Sequence, residues 1–169
     1  MPSTYTLISS NVLSSSAASV TFSAIPSTYT DLVLRWSSQS GGSSIYVTYN
    51  GDNSSSTNYS YTQLRGDGSA ASSFRESSVY YQWLGSQPTS GSDFSSGELY
   101  IPNYTSTGGK PASGYVVREG NSASITYAQV ATANLYRGAS AISSITLTQL
   151  GGGNFVSGSF FYLYGIKNS

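Results

Sequence analysis

The chain has 169 residues, and only its seven Lys or Arg and seven Asp or Glu carry a charge, so its formal net charge is zero. It contains no His and no Cys, and its 38 Ser and 15 Thr make up nearly a third of the residues. Without Cys it can form neither disulfides nor thiol nucleophiles, and without His it lacks the commonest general base and transition-metal ligand. We therefore expect no catalytic residue, no metal site and no cofactor.

The charge distribution also argues against two classes of partner. The basic residues are scattered along the chain, whereas binding to phosphates needs clustered Lys and Arg. No apolar run approaches the roughly 18–20 residues of a membrane-spanning helix. Residues 1–7, MPSTYTL, lack the basic and apolar regions of a signal peptide. We expect binding neither to nucleic acid nor to a membrane, and no signal peptide.

Apolar and polar residues alternate with a period of two along most of the chain, which is typical of half-buried β-strands. In residues 31–38, for example, Leu32, Leu34 and Trp36 would share one face of a strand. Turn sequences rich in Gly, Ser and Asn separate the alternating segments. The pattern predicts strands at residues 19–24, 31–38, 44–50, 58–64, 79–84, 97–104, 115–119, 124–135, 142–150 and 159–167.

About ten strands joined by Gly and Ser turns predict an all-β fold, an antiparallel two-sheet sandwich of the jelly-roll type. We predict a single domain over residues 1–169, with residues 1–7 as an N-terminal arm that orders on a neighbouring chain. A helix is the alternative for the Ala-rich residues 127–136, but they have no N-cap and no apolar stripe of helical period. The Ser-rich residues 72–78 are predicted to form a surface loop.

The acidic residues leave one catalytic alternative open, because glycoside hydrolysis needs only two facing carboxylates. Glu76, Glu98 and Glu119 are the candidates, yet nothing in the sequence pairs any two of them. A Ser nucleophile would need Lys110 or Lys167 as its base, and both have the sequence context of an exposed segment. We therefore predict that the protein is not an enzyme.

Arg65-Gly66-Asp67 spells a tripeptide that some cell-surface receptors bind. The same residues also suit a turn after the strand predicted at residues 58–64, and we favour the turn. Asp67, like Asp52, lies among glycines without the multi-acid spacing of a calcium loop.

Several segments carry large apolar side chains on both faces of the predicted strand, most clearly residues 159–167. One face can pack in the core while the other contacts a second protein chain. Tyr suits such a contact because it combines a large area with a polar tip. Ordinary core packing is the alternative for about half of these residues. The candidates for a subunit interface are Phe160, Tyr162, Tyr164, Ile166, Tyr80, Tyr100 and Tyr104.

Tyr81 and Trp83 are candidates for a different contact, the stacking of aromatic rings on sugar faces. The polar side chains available for hydrogen bonds to such a sugar are Gln39, Gln63, Gln82, Gln87 and Asn134. A glycan-binding module therefore remains the alternative function.

Three runs of the sequence together resemble one group of viral proteins. Residues 24–34 (AIPSTYTDLVL) resemble an I-P-x-x-Y-x-D-L-x-L pattern, residues 47–64 contain YNGD and TNYSYTQL, and residues 158–167 read GSFFYLYGIK. Across residues 5–167 the chain is similar to small virion structural proteins of tailed bacteriophages. The resemblance implies a jelly-roll sandwich that serves as a capsid decoration (cement) protein or as a fibre or tail module.

The resemblance also implies partners and a location. Proteins of this kind oligomerise, often as trimers, and bridge the major capsid protein or other virion proteins. They are made in the host cytoplasm, enter the virion without a signal peptide, and have no catalytic residues. We therefore expect a non-enzymatic capsid decoration protein that stabilises the head; the alternative is a tail-fibre or receptor-binding module that recognises a host surface glycan.

Overall fold

The structure is a computed structural model that describes residues 4–42, 44–53, 57–88, 93–119 and 127–167. These residues contain twelve β-strands and no helix. The strands are β1 (Tyr5–Val12), β2 (Ser19–Phe22), β3 (Asp31–Ser38), β4 (Ser44–Tyr49), β5 (Tyr59–Gly66), β6 (Ala71–Val79), β7 (Gln82–Ser86), β8 (Ser95–Pro102), β9 (Lys110–Val117), β10 (Gln129–Tyr136), β11 (Ile145–Leu150) and β12 (Phe160–Ile166).

Within the described residues the strands form two sheets with antiparallel pairing throughout. The larger sheet has the order β1-β12-β3-β8-β9-β10-β5-β6, and the smaller has the order β2-β11-β4-β7. The predicted all-β, two-sheet architecture is confirmed, with twelve described strands instead of about ten. The jelly-roll connectivity stays a prediction.

The hydrophobic core lies between the two sheets. The inward side chains of β3, Leu32, Leu34 and Trp36, are fully buried, as the alternation in the sequence predicts. Val47 and Leu147 of the smaller sheet belong to the same cluster. Removal of these apolar side chains from water is the main favourable contribution to the stability of the sandwich.

Two strands lie outside the predicted ones. β1 pairs with β12 of the same chain, and Tyr5–Leu7, the end of the predicted arm, are part of that pairing. β6 lies in the Ser-rich segment, so the prediction of a loop over residues 72–78 is wrong. It pairs with β5 while most of its side chains remain exposed, and such an edge strand has no apolar alternation in its sequence.

Other boundaries shift as well. β10 confirms a strand in place of a helix near residues 127–136, while residues 124–126 of the predicted strand lie outside the described residues. The strand predicted at residues 79–84 is divided between the end of β6 and the start of β7. β9 begins at residue 110, five positions before its predicted start.

A buried network of neutral polar side chains connects β3 with the smaller sheet. Gln87 Nε2 donates to Ser38 Oγ at 2.5 Å, and Gln149 Nε2 donates to Gln87 Oε1 at 3.2 Å. Ser40 Oγ donates to Gln149 Oε1 at 2.6 Å. Because each amide and hydroxyl in this chain of bonds has a partner, these polar groups are buried without a large desolvation penalty.

Three tyrosines, Tyr49, Tyr59 and Tyr136, pack against one another in the core between the sheets. The ring centroids of Tyr59 and Tyr136 are 4.8 Å apart, and those of Tyr49 and Tyr136 are 5.2 Å apart. Tyr59 Oη donates to the carbonyl of Asp52 at 2.8 Å. Burial raises the pKa of all three phenols, and it raises the pKa of Tyr136 to about 12.

We predict that the protein loses stability in alkaline solution because of these tyrosines. The unfolded chain releases their protons near pH 10, while folded Tyr136 keeps its proton to about pH 12. The unfolded state therefore binds fewer protons in this window, and the free energy of unfolding falls as the pH rises. Urea unfolding at several pH values measures this slope.

Tyr136→Phe should make the slope shallower, because it removes one of the three titrating groups. The matched control is Tyr80→Phe, because Tyr80 is 47% exposed. The same slope in Tyr136→Phe as in the wild type would contradict the prediction.

Candidate functional site on the outer face

The outer face is the side of the larger sheet that points away from the smaller sheet. All strands in the described part of the chain belong to the two sheets, so no third layer of strands covers it. Directly paired residues of antiparallel strands share a face, and the register therefore identifies its side chains. One row of paired residues that crosses the strands on this face is Tyr162, Arg35, Glu98, Tyr115, Ala131 and Leu64.

The exposed apolar residues concentrate on this face. Eight large hydrophobic side chains are exposed among the described residues, and five of them are on the outer face by register. Three of the five share the edge strand β1, and apolar side chains grouped on one part of a surface are typical of a contact with a protein or a ligand. The five residues are Tyr5, Leu7 and Val12 on β1, Tyr115 on β9 and Leu64 on β5.

A groove crosses the middle of the outer face. Its floor is the Trp36–Gly97 pair of strands β3 and β8, and the small side chain of Ser96 deepens it. Phe160 and Val117 stand on opposite sides. The groove has a volume of about 370 Å³ and is lined by Arg35, Trp36, Ser96, Gly97, Glu98, Tyr115, Val117, Phe160 and Tyr162.

A smaller depression adjoins the groove on the far side of Tyr115. It has a volume of about 210 Å³ and shares Glu98 and Tyr115 with the groove. Its remaining lining residues are Tyr100, Ser113, Gly114 and Ala131. The two depressions therefore adjoin each other at Glu98 and Tyr115.

An ion pair lies between the aromatic walls of the groove. Arg35 Nε donates to Glu98 Oε2 at 2.6 Å, and the two side chains are 50% and 45% exposed. The Arg35 guanidinium carbon lies 5.5 Å from the ring centre of Tyr5 and 5.9 Å from that of Tyr164, within range of cation–π attraction. The hydrogen bond to Glu98 raises the pKa of Arg35, so the guanidinium stays charged.

The structure brings together only some of the predicted interface residues. Four of them, Phe160, Tyr162, Tyr164 and Tyr100, share the outer face and are partly exposed. The other three, Tyr104, Ile166 and Tyr80, are found in different environments.

Tyr104 is not a surface residue, and its assignment to an interface is corrected. Its ring is fully buried in the main core, and its hydroxyl donates to the carbonyl of Pro26. Ile166 is on the outer side of β12 but is buried. Tyr80 follows β6 in the turn to β7, where its exposed ring lies edge-on against Tyr81. An alternating sequence pattern cannot distinguish these cases.

The residues predicted to stack on a glycan do not form an exposed platform. Trp83 is buried with Tyr61 and Val130 in a second, smaller cluster, which corrects its assignment to a sugar-binding surface. Tyr81 is half-buried, with its ring centroid 5.0 Å from that of Tyr46. The five polar residues predicted to assist them are likewise buried: Gln39, Gln63, Gln82, Gln87 and Asn134.

The Arg65-Gly66-Asp67 segment has both of its charged side chains engaged within the chain. The Arg65 guanidinium carbon lies 4.3 Å from the ring centre of Tyr127 and 5.1 Å from that of Trp83. The Asp67 carboxylate accepts hydrogen bonds from the backbone N–H of Ala70 and of Ser69, which lower its pKa. This geometry agrees with the interpretation as a turn.

Lys110 is buried, so the expectation that it is exposed is wrong. Its ammonium donates to the carbonyls of Gly108 at 3.1 Å and Gly138 at 2.6 Å, and burial lowers its pKa. These bonds make it a link between two loops.

Glu76, one of the candidate acids, accepts a hydrogen bond from the Tyr61 hydroxyl.

Among the residues that the structure describes, Asp and Glu do not gather in groups of three or more that would suit a metal ion. The described ranges also contain no helix that is long and apolar enough to cross a membrane.

Sequence reasoning missed the centre of the groove. Arg35, Glu98 and Tyr115 are far apart in the chain, and only the strand order β12-β3-β8-β9 makes them neighbours. The one available signal was a lone Arg and a lone Glu, each at an outward position of a predicted strand.

No protein-family model and no curated protein matches the chain.

We predict that Gly97→Ala destabilises the fold. A Cβ at this position would overlap the six-membered ring of Trp36, which is fully buried. Overpacking of this kind costs about 1–3 kcal/mol, so the free energy of unfolding in urea should fall by that amount.

Gly66→Ala provides the control, because a Cβ there would meet no atom within 4 Å. We expect it to change the free energy of unfolding by less than about 0.5 kcal/mol. Equal stability of the two variants would show that Trp36 does not require the glycine.

Proposed function

We propose that the protein is a non-enzymatic virion structural protein, a capsid decoration (cement) protein that stabilises a phage head by binding other protein chains. The observation that carries the proposal is an exposed, apolar and uncharged edge strand, β1. The proposed contact surface, called the β1 strip, consists of Tyr5, Leu7 and Val12.

Edge strands usually carry features that prevent unwanted pairing, such as charged side chains or proline. β1 has neither, and the first charged residue of the whole chain is Asp31. Its one protective feature is an irregularity of register between Leu7 and Ser9. β6, at the opposite edge of the larger sheet, carries Arg75 and Glu76. β1 is therefore the edge better suited to pairing with a strand of another chain.

The composition supports close packing of many copies. A net charge of zero produces little repulsion between identical chains, and near-zero net charge favours association. The resemblance to phage virion proteins points in the same direction and suggests the major capsid protein or another virion protein as partner. We propose a homo-oligomer, with a trimer favoured by that resemblance, and a location in the virion after synthesis in the host cytoplasm.

The alternative function is a tail-fibre or receptor-binding module that recognises a host glycan. Trp83, buried in the second cluster, gives it no support. The groove around Arg35 and Glu98 does give it support, because it is a concave surface with aromatic walls and a polar centre.

We predict that Leu7→Lys weakens association with other chains by at least about tenfold, which corresponds to about 1.4 kcal/mol, because a Lys on an edge strand opposes its pairing with a strand of another chain. Native mass spectrometry of the isolated protein and its co-sedimentation with phage particles measure the effect.

The matched control is Leu64→Lys. Leu7 and Leu64 are 51% and 65% exposed on the outer face, but Leu64 is on β5, far from the β1 strip. This variant should associate like the wild type. A wild-type chain that is monomeric and never sediments with capsids would contradict the proposed function, and normal association of Leu7→Lys would contradict the role of β1.

A further inference from the structure

We propose that the groove on the outer face binds a neutral saccharide chain. Sugar rings would pack between Phe160 and Tyr162 on one side and Tyr115 on the other, and their hydroxyls would bond to Arg35 and Glu98. This site differs from the β1 strip, and the proposal does not depend on assembly through β1.

The dimensions of the groove suit a small ligand. Its volume of about 370 Å³ lies within the roughly 300–1,000 Å³ typical of small-molecule sites. The adjoining depression of about 210 Å³ extends it past Tyr115 towards Ser113 and Ala131. A ligand made of linked units can follow this course across the strands, whereas a compact ligand would occupy only one part of it.

The walls provide flat aromatic surfaces. The ring centroids of Phe160 and Tyr162 are 5.2 Å apart, so the two rings form a continuous wall. Tyr115, on the facing wall, is 47% exposed although it belongs to the middle of a sheet. Aromatic rings bury the C–H faces of a sugar ring, and the tyrosine hydroxyls can bond at its edge.

The centre of the groove provides hydrogen-bonding groups. The ion pair uses Arg35 Nε and Glu98 Oε2. Within the described residues, the two amino groups of the guanidinium and Glu98 Oε1 make no further hydrogen bond. A sugar hydroxyl is both a donor and an acceptor, so neighbouring hydroxyls match a guanidinium beside a carboxylate.

The charge of this centre selects a neutral ligand. Arg35 and Glu98 sum to zero, and a phosphate or sulfate group placed near Arg35 would also meet the Glu98 carboxylate. An apolar protein segment fits less well, because covering a half-exposed ion pair with apolar groups would incur its desolvation penalty without new hydrogen bonds. A chain of neutral sugars carries no net charge, packs its apolar faces on the aromatic walls, and bonds to the ion pair through its hydroxyls.

The proposal can be tested by isothermal titration of the full chain with neutral hexasaccharides of glucose, mannose, galactose and N-acetylglucosamine. We expect saturable binding to at least one of them, with an affinity that changes less than about twofold between low and high salt because no net charge is neutralised. Absence of saturable binding to all four, or an affinity that falls steeply with salt, would overturn the proposal.

Variants locate the site. Tyr115→Ala and Tyr162→Ala should each weaken binding at least about tenfold, whereas Tyr115→Phe should retain most of the affinity because it keeps the ring. Tyr80→Ala is the matched control, since Tyr80 and Tyr115 are equally exposed at 47%. Wild-type affinity in both alanine variants of the groove would overturn the proposal.

Two further measurements separate this site from the assembly surface. Circular dichroism and native mass should be unchanged in Tyr115→Ala and Tyr162→Ala, so that lost binding reflects neither unfolding nor a change of oligomer. Leu7→Lys should bind the hexasaccharide like the wild type. Loss of sugar binding in Leu7→Lys alone would place the ligand on the β1 strip and contradict the groove site.

Discussion

The two sheets of the sandwich differ in size, and this difference determines where the core lies and which surfaces of the larger sheet stay exposed. A four-stranded sheet packs on one side of an eight-stranded sheet, so it can cover only part of that side. The main core lies where the two sheets overlap, while Tyr61, Trp83 and Val130 form a second cluster nearer to the β5–β6 edge. The opposite side of the larger sheet, the outer face, is left without a covering layer in the described residues. The larger sheet thus presents one wide face and two edge strands to its surroundings.

The low charge of the chain determines how that surface is stabilised. With seven acidic and seven basic residues, the protein relies on neutral groups both inside and outside. Inside, Ser and Gln side chains bond to one another between the sheets, and Lys110 donates to backbone carbonyls in place of an acidic partner. Outside, serines and tyrosines take the place of the usual Lys and Glu. The hydroxyl groups of such a surface bind water. Because the surface carries little charge, it repels neither another copy of the chain nor a neutral ligand.

The sequence contains enough information for the fold class but not for the site. The bounds of β3 agree with the prediction because one of its faces is buried along its whole length, which keeps the alternation unbroken. β6 escaped prediction because its side chains are mostly exposed, and its pairing depends on backbone groups that every residue shares. The presence of a Tyr in the sequence does not indicate whether its side chain is buried or exposed, since Tyr104 is buried while Tyr115 is exposed. The groove depends on strand order and register, which arise only when distant segments pair.

The geometry of the larger sheet also makes the two proposed roles compatible. A strand that pairs with β1 extends the sheet within its own plane, because backbone hydrogen bonds run from strand to strand and not outward from the face. The groove lies across β12, β3, β8 and β9, so a chain added beyond β1 leaves its opening uncovered. Covering the outer face itself would instead desolvate the Arg35–Glu98 pair. Edge pairing is therefore the mode of assembly that keeps the ion pair hydrated and the aromatic walls accessible, and a protein held in a shell by its edge strand can present the groove to solvent.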